Sequence, residues 1–81
     1  MEPKYKVITF RGWEYARNYP EAIRIAYSRA KEIYKQFPDK PGIWWARIDY
    51  SFCVGKTRAY TIVNIDGSVS LKPIINGKSN E

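Results

Sequence analysis

Histidine is absent from the 81-residue chain, and cysteine occurs only once, as Cys53. Without histidine, a Ser-His or Cys-His nucleophile pair is excluded. A tetrahedral zinc site built from the usual cysteine and histidine ligands cannot be assembled within one chain either. A lone cysteine forms no intrachain disulfide, so we expect Cys53 to be a reduced, buried thiol in a cytoplasmic protein. No metal and no cofactor are therefore expected.

Acidic residues and long hydrophobic runs are also scarce. Only 8 Asp and Glu stand against 14 Lys and Arg, which gives a formal net charge of +6. The acids show no paired arrangement of the kind that supplies a general acid and a general base, so no catalytic residue is predicted. The apolar run from Val7 to Phe10 is too short for a signal-peptide core or a membrane span. We expect a non-enzymatic cytoplasmic protein without membrane contact, located in the host cytoplasm if it is viral.

Hydrophobic residues nevertheless make up 44% of the chain, and aromatic residues 16%. This content is sufficient for one hydrophobic core, and a chain of this size has room for only one. We expect a single α+β domain over residues 1–73. Residues 74–81, which are rich in Asn, Ser, Gly and Lys, predict a flexible C-terminal tail.

The clearest predicted element is a helix from about Tyr19 to Phe37. Apolar residues recur there at spacings of three and four, as on the buried stripe of an amphipathic helix. Asn18 is a suitable N-cap, Glu21 is placed to bond back to it, and Pro20 suits the first turn. Pro38 ends the pattern. The predicted stripe consists of Ile23, Ala26, Tyr27, Ala30, Ile33, Tyr34 and Phe37.

The stretch from Ile43 to Val54 alternates between two sets of side chains, which is typical of a half-buried strand. Its even-numbered positions are expected to face the core. Its odd-numbered positions, which include Trp45, Arg47 and Asp49, are expected to lie on the outer face. Because Asp49 lies beside Arg47 on that face, we expect the two to form an exposed ion pair.

Two further strands are predicted on either side of Asp66-Gly67, which favours a two-residue hairpin turn that pairs Ile62 with Leu71. A three-residue loop over residues 55–57 then keeps the large apolar residues of the last three strands on one face. The outer face would carry Trp45, Arg47, Thr61, Val63, Ser70 and Lys72, with Lys56 and Arg58 at one hairpin end.

The N-terminal segment allows two interpretations. Residues 4–10 and 13–17 form either a tight hairpin around Arg11-Gly12 or one bent strand. The hairpin would place Ile8, Phe10, Trp13 and Tyr15 on one face. The fold is therefore predicted as an antiparallel sheet of four to five strands with one amphipathic helix on one face, in the order ββαβββ or βαβββ. Its short last strand is a candidate edge at which a second copy would pair.

A tryptophan beside an arginine on an open sheet is suited to stack a nucleobase and neutralise its phosphate. The alternative for Trp45 is that the N-terminal hairpin or the tail covers it and that it completes a second small core. On the helix, the alternative to a binding patch is a solvated face with ion pairs from Glu21 to Arg24 and from Glu32 to Lys35. The candidate binding residues are Trp45, Arg47, Lys56 and Arg58, then a helical patch of Arg24, Lys31 and Lys35, with Lys6 and Arg17 as extensions.

Two functions follow from these patterns. The first is a non-catalytic basic module that binds nucleic acid, DNA or RNA, with little sequence specificity. The second is an inhibitor or adaptor that docks on an acidic protein surface, for example on a nucleic-acid-processing complex, with Trp45, Arg47 and Trp13 as anchors. The predicted element order resembles that of small phage-encoded inhibitors, certain anti-CRISPR proteins among them. That topological resemblance implies a compact one-helix sheet that blocks a nucleic-acid machine.

Overall fold

One helix packs on one face of a five-stranded antiparallel sheet in the computed structural model, which describes residues 3–39, 44–52 and 55–74. The elements in chain order are β1 (Tyr5–Thr9), β2 (Gly12–Ala16), α1 (Tyr19–Gln36), β3 (Trp44–Tyr50), β4 (Thr57–Val63) and β5 (Val69–Pro73). The strands are arranged β2-β1-β3-β4-β5, so β2 and β5 are the edges. The predicted α+β class is confirmed, with the ββαβββ order and an N-terminal hairpin.

Several predictions fall outside this part of the chain. Cys53, Val54 and residues 75–81 of the predicted tail lie outside the described residues, as does the side chain of Trp44. Pairing of two copies along β5 stays a prediction. In the described part of the chain, no helix has the length and apolar character needed to cross a membrane.

Helix α1 begins where the capping residues predict. The Asn18 side chain accepts a hydrogen bond from the backbone N of Glu21 at 2.9 Å, which satisfies one of the free amides of the first turn. The Glu21 carboxylate accepts from the backbone N of Arg17 at 2.7 Å, and not from Asn18 as predicted. At the other end, the backbone N–H of Phe37 donates to the carbonyls of Ile33 and Tyr34. The helix is therefore capped at both ends.

Alanine lines both surfaces where the helix meets the sheet. Ala22, Ala26 and Ala30 are fully buried on α1, and Ala46 and Ala59 are fully buried on the sheet. Because a methyl group is the smallest side chain with a Cβ, this pairing lets the helix lie close to the strands, where interior packing tolerates little added volume. Of the predicted stripe, Ala26, Ala30 and Ile33 are fully buried, whereas Ile23, Tyr27, Tyr34 and Phe37 are half-buried.

Strand β4 presents the opposite face from the one predicted. Ala59, Thr61 and Val63 are fully buried and face the helix, whereas Tyr60 and Ile62 are on the outer face. The predicted outer positions of Thr61 and Val63 are therefore wrong. Ala59, Thr61 and Val63 fit beneath the alanine stripe, and Tyr60 and Ile62 are left on the other side.

The turn between β4 and β5 accounts for this reversal. Asn64 N donates to Ser68 O at 2.7 Å, and Gly67 N donates to Asn64 O at 2.9 Å, with Gly67 at φ +90°. These bonds close a three-residue loop, one residue longer than the predicted Asp66-Gly67 turn. Ile62 consequently pairs with Ser70 instead of Leu71. A register change of one residue exchanges the two faces of a strand.

Trp45 is buried, with only 8% of its surface exposed, so its predicted outer-face position is wrong. The register of β3 against β4 shifts between Trp44 and Arg47, and this irregularity leaves both Trp45 and Ala46 on the buried side. The Thr61 hydroxyl accepts from Ala46 N at 3.1 Å and donates to Ala46 O at 3.3 Å, which satisfies the backbone there. Trp45 stacks on Phe37 at 6.0 Å between centroids. Trp45 does belong to a second core cluster, with Ala30, Ile33 and Val63, but this cluster lies on the helix side and not on the outer face where the alternative placed it.

The connection between β3 and β4 is also longer than the predicted three-residue loop. It spans residues 51–56, and Tyr50 N donates to Lys56 O at 3.0 Å. Ile48 is buried, as predicted, but Phe52 lies in the connection and is 77% exposed instead of facing the core. The strand ends earlier than the alternating pattern, so the pattern overestimates its length.

An ion pair ties edge strand β2 to the helix. Arg29 donates to the Glu14 carboxylate and also contacts Glu32 at 3.2 Å. The hydrogen bond from Arg29 is the largest cause that holds the pKa of Glu14 below its usual value, and partial burial opposes it. The charged form of Glu14 is therefore favoured in the folded protein.

We predict that Ala26→Leu lowers the free energy of unfolding by about 1–3 kcal/mol, because three added carbons have no space between helix and sheet. Urea denaturation monitored by circular dichroism measures this change. Ser28→Leu is the matched control, since Ser28 is exposed on the same helix and the same side chain there should change stability by less than about 0.5 kcal/mol. Equal stability of Ala26→Leu and the wild type would contradict the close approach of α1.

We predict that Glu14→Gln destabilises the protein slightly at neutral pH, by less than about 1 kcal/mol for a partly exposed pair. A carboxylate with a lowered pKa contributes stability above its unfolded pKa and loses it as the pH falls through the folded value. The difference between variant and wild type should therefore shrink below about pH 4.5. Urea denaturation at about pH 7 and about pH 3 measures it. A difference that grew in acid would contradict the assigned pair.

Candidate functional site

The sheet face opposite α1, which we call the outer face, carries a continuous row of side chains across all five strands. Ile8 pairs with both Trp13 and Arg47, Arg47 pairs with Tyr60, and Tyr60 pairs with Lys72. We call these five residues the transverse row. With neighbouring strands about 4.8 Å apart, the row spans about 19 Å.

An aromatic and cationic cluster lies at the β2 end of this face. Trp13 and Tyr15 contact each other edge to face, with ring centroids 4.9 Å apart, and they are 56% and 50% exposed. The Lys6 ammonium lies 4.9 Å from the Trp13 centroid and 5.8 Å from the Tyr15 centroid. The attraction between a cation and an aromatic π system favours this arrangement. Two half-exposed rings are therefore held beside a positive charge; we call Lys6, Trp13 and Tyr15 the aromatic-cation cluster.

Arg47 lies at the centre of the outer face and is held by a buried acid. Asp49 Oδ1 accepts from Arg47 Nε at 2.9 Å and from the Thr57 hydroxyl at 2.8 Å. Asp49 is only 5% exposed, whereas 37% of the Arg47 side chain is exposed. The predicted ion pair forms, but its carboxylate is buried instead of solvated. The guanidinium is consequently fixed in orientation while part of it stays accessible.

Acids of the described residues other than Asp49 lie away from this face. Glu14, Glu21 and Glu32 form ion pairs with arginines on the helix side, and Asp66 lies in the β4–β5 turn, where bonds from Ser68 lower its pKa. Asp39 follows the end of the helix. On the described part of the outer face, the accessible charged groups include those of Lys6, Arg47 and Lys72.

Arg58 lies on the helix side, not on the outer face as predicted. A second register irregularity follows Ile48, and the Arg58 guanidinium carbon comes to lie 3.8 Å from the Tyr19 ring centroid. Arg58 also donates to the Tyr5 hydroxyl. Burial is the largest single influence on the pKa of Arg58 and lowers it, but interactions with Tyr5, Tyr50 and Tyr19 together raise it above its usual value. This cation links the sheet to the helix N-terminus.

The helical patch lies on the other side of the molecule from the outer face. Its members Arg24, Lys31 and Lys35 are exposed on α1. Arg24 forms the predicted ion pair with Glu21 at 3.7 Å, and Arg17 contacts the same carboxylate at 3.8 Å. Glu32 pairs with Arg29 instead of Lys35. Lys56 is exposed in the connection between β3 and β4. Of the nine predicted site residues, only Lys6 and Arg47 meet on the outer face.

Tyr15 and Tyr60 were not among the predicted site residues, and Trp13 was predicted only as an anchor for a protein partner. The predicted N-terminal hairpin already indicated part of this cluster, since it placed Trp13 and Tyr15 on one face. The observed turn is Phe10-Arg11, so Lys6 pairs with Tyr15, and Phe10 packs against Phe37 at 6.0 Å. Phe10 thus leaves the predicted cluster.

Among residues 3–39, 44–52 and 55–74, no group of three or more possible ligand side chains is placed to hold a metal ion. Comparisons gave no match of the chain to any protein-family model, to any curated protein or to any solved structure. The function is therefore inferred from the outer face itself.

We predict that iodide quenches the fluorescence of Trp13 more strongly than caesium does, because the Lys6 ammonium concentrates anions beside this exposed ring. The contribution of Trp13 is the difference between the wild type and Trp13→Phe. Lys6→Ala should reduce iodide quenching. Trp45→Phe should remove fluorescence that iodide quenches only weakly, because Trp45 is buried. Identical iodide quenching in the wild type and Trp13→Phe would contradict the exposed position of Trp13.

Proposed function

We propose that the chain is a non-catalytic nucleic-acid-binding protein whose binding surface is the outer face of the sheet. The observation that carries this proposal is the aromatic-cation cluster. Two half-exposed rings, Trp13 and Tyr15, stand beside the Lys6 ammonium on an open sheet. Open sheets with exposed aromatic residues are a common platform for stacked bases.

In the proposed mechanism, bases stack on the exposed rings and the cations contact phosphates. Stacking on an aromatic side chain contributes about 1–3 kcal/mol per base. Contacts from Lys6, Arg47 and Lys72 release counterions from the phosphates, so affinity falls as salt rises. Neither contribution distinguishes strongly between bases, since every base has a π face and phosphate contacts carry no sequence information. Low sequence specificity follows, on DNA or RNA.

Charge complementarity supports a polyanion as the occupant of this face. The one acid on the described part of the outer face, Asp49, is paired with Arg47, so these two charges offset each other and the lysines give the face its net positive charge. On α1, by contrast, Glu21 lies beside Arg24, and Glu32 lies on the same exposed surface. The mixed charge of the helix favours the sheet as the binding surface.

A protein-docking role is the second candidate, and the exposure of Trp13 favours it as well. Tryptophan and arginine are enriched among the few residues that dominate protein interfaces. For an acidic protein partner, Trp13→Ala would abolish the complex, whereas Lys6→Ala would chiefly change its association rate and salt dependence. An inhibitor or adaptor of this kind would use the same face with Arg47 at its centre.

We predict that Trp13→Ala weakens binding of an oligonucleotide about 5- to 150-fold, which corresponds to the loss of one stacked base. Fluorescence anisotropy of a labelled oligonucleotide of about ten nucleotides measures it. Phe10→Ala is the matched aromatic control, because Phe10 is 66% exposed on the same hairpin but packs towards the helix. Lys31→Ala is the cationic control for Lys6→Ala.

The proposal expects Trp13→Ala and Lys6→Ala to weaken binding, and both controls to bind like the wild type. Loss of binding in Lys31→Ala with none in Lys6→Ala would move the site to the helix. No binding of the wild-type protein to any oligonucleotide at about 50 mM salt would reject the proposal and leave protein docking as the function to pursue.

A further inference from the structure

We infer that the nucleic acid bound by the outer face is single-stranded and lies across the strands, along the transverse row. This inference rests on the proposed function and specifies its ligand. The transverse row orders its side chains as an aromatic, an aliphatic, a cation, an aromatic and a cation: Trp13, Ile8, Arg47, Tyr60 and Lys72. The row therefore offers two rings for bases, with one cation between them and another beyond the second ring for phosphates.

Stacking on the outer face requires bases that are not already stacked. In a duplex the base faces are covered by their neighbours, so side chains reach only base edges in the grooves. Trp13 and Tyr15 are 56% and 50% exposed as residues, and exposed rings are used by unpaired bases. The chemistry of the cluster therefore favours a single strand over a duplex.

The shape of the outer face also disfavours a duplex groove. The major groove of B-form DNA is about 12 Å wide and admits a helix or a two-stranded ribbon. The five strands of this sheet extend over about 19 Å, which is too broad to enter that groove. The single helix is not suited to enter the groove instead, because Glu21 and Glu32 on its accessible surface would repel the phosphates.

The two aromatic residues of the row, exposed Trp13 and half-buried Tyr60, lie at separate points and serve as the two stacking positions. Trp13 on β2 and Tyr60 on β4 are three strand spacings apart, about 14 Å. Tyr60 borders a depression of about 210 Å³ that is also lined by Arg47, Thr57 and Ile74. This volume is below the range of about 300–1,000 Å³ typical of sites for larger ligands, and it suits a single base. Arg47 lies between the two stacking positions.

The separation of the two positions sets the length of the ligand. At a rise of about 3.4 Å per nucleotide, as in one strand of a stacked helix, about 14 Å corresponds to about four steps. Fewer nucleotides suffice if the strand is extended. Affinity should therefore increase with length up to about three to five nucleotides and then change little, apart from the statistical gain of overlapping sites.

The number of cations on the face sets the salt dependence. For single strands, the slope of log K against log salt is about −0.7 per neutralised phosphate. Lys6 and Lys72 alone give about −1.4, and contact by Arg47 as well gives about −2.1. Lys72→Ala should reduce the magnitude of the slope by about 0.7, whereas Lys31→Ala on the helix should leave it unchanged.

The experiment compares a single-stranded oligonucleotide of about ten nucleotides with a duplex of the same sequence, at about 50 and about 200 mM salt. Fluorescence anisotropy with the intact chain measures both affinities. We expect the single strand to bind at least about 10-fold more tightly at the higher salt. Tyr60→Ala should weaken single-strand binding about 5-fold or more, and Tyr60→Phe, which keeps the ring, should bind like the wild type.

The outcomes distinguish a failure of the single-strand inference from a failure of the proposed nucleic-acid binding. Equal binding of single strand and duplex, with loss in Trp13→Ala, would overturn the single-strand inference and leave nucleic-acid binding standing. Wild-type affinity in Tyr60→Ala, with thermal unfolding unchanged, would overturn the path across the sheet. Failure of both oligonucleotides to bind at low salt would reject the inference together with the proposed function.

Discussion

The contact between the alanines of α1 and the alanines of the sheet determines the rest of the structure. Ala22, Ala26 and Ala30 meet a sheet surface that includes Ala46 and Ala59. On β4 this packing places Ala59, Thr61 and Val63 beneath the helix. Tyr60 is left on the outer face as a consequence.

Local sequence signals predicted the elements that depend on local geometry. The helix follows from the cap at Asn18 and from the apolar spacing, and both operate within a few residues. The N-terminal hairpin was predicted with a register error of two residues, yet Trp13 and Tyr15 still share the predicted face. An even change of register preserves faces because side chains alternate with a period of two.

Errors arose where one residue was added to a turn or a strand. The extra residue in the loop before Ser68 reverses β4, and the irregularity after Trp44 turns Trp45 towards Phe37. Hydrophobicity alone favoured Tyr60 on the core side, since nothing local to β4 records the small space beneath α1. Tertiary packing decided which residues of β3 and β4 are buried, and the hydrophobic pattern of one strand carries no information on that packing.

For the candidate site too, local sequence features were predictable and long-range contacts were not. The net charge of +6 was available from composition, but its distribution depends on long-range pairs such as Arg29 with Glu14 and Arg58 with Tyr19. These contacts remove cations from the surface available to a ligand. Lys6 and Arg47 were among the predicted candidates and lie on the outer face, whereas placing their aromatic neighbours beside them required the observed sheet order.

We propose that the outer face, and not helix α1, is the binding surface. Backbone and indole N–H resonances of the ¹⁵N-labelled protein, followed during titration with a single-stranded oligonucleotide, locate the surface that binds. We expect shifts at Lys6, Trp13 and Tyr60, with Lys31 and Lys35 on α1 unaffected. Shifts confined to the exposed residues of α1, with the Trp13 indole N–H unchanged, would contradict it.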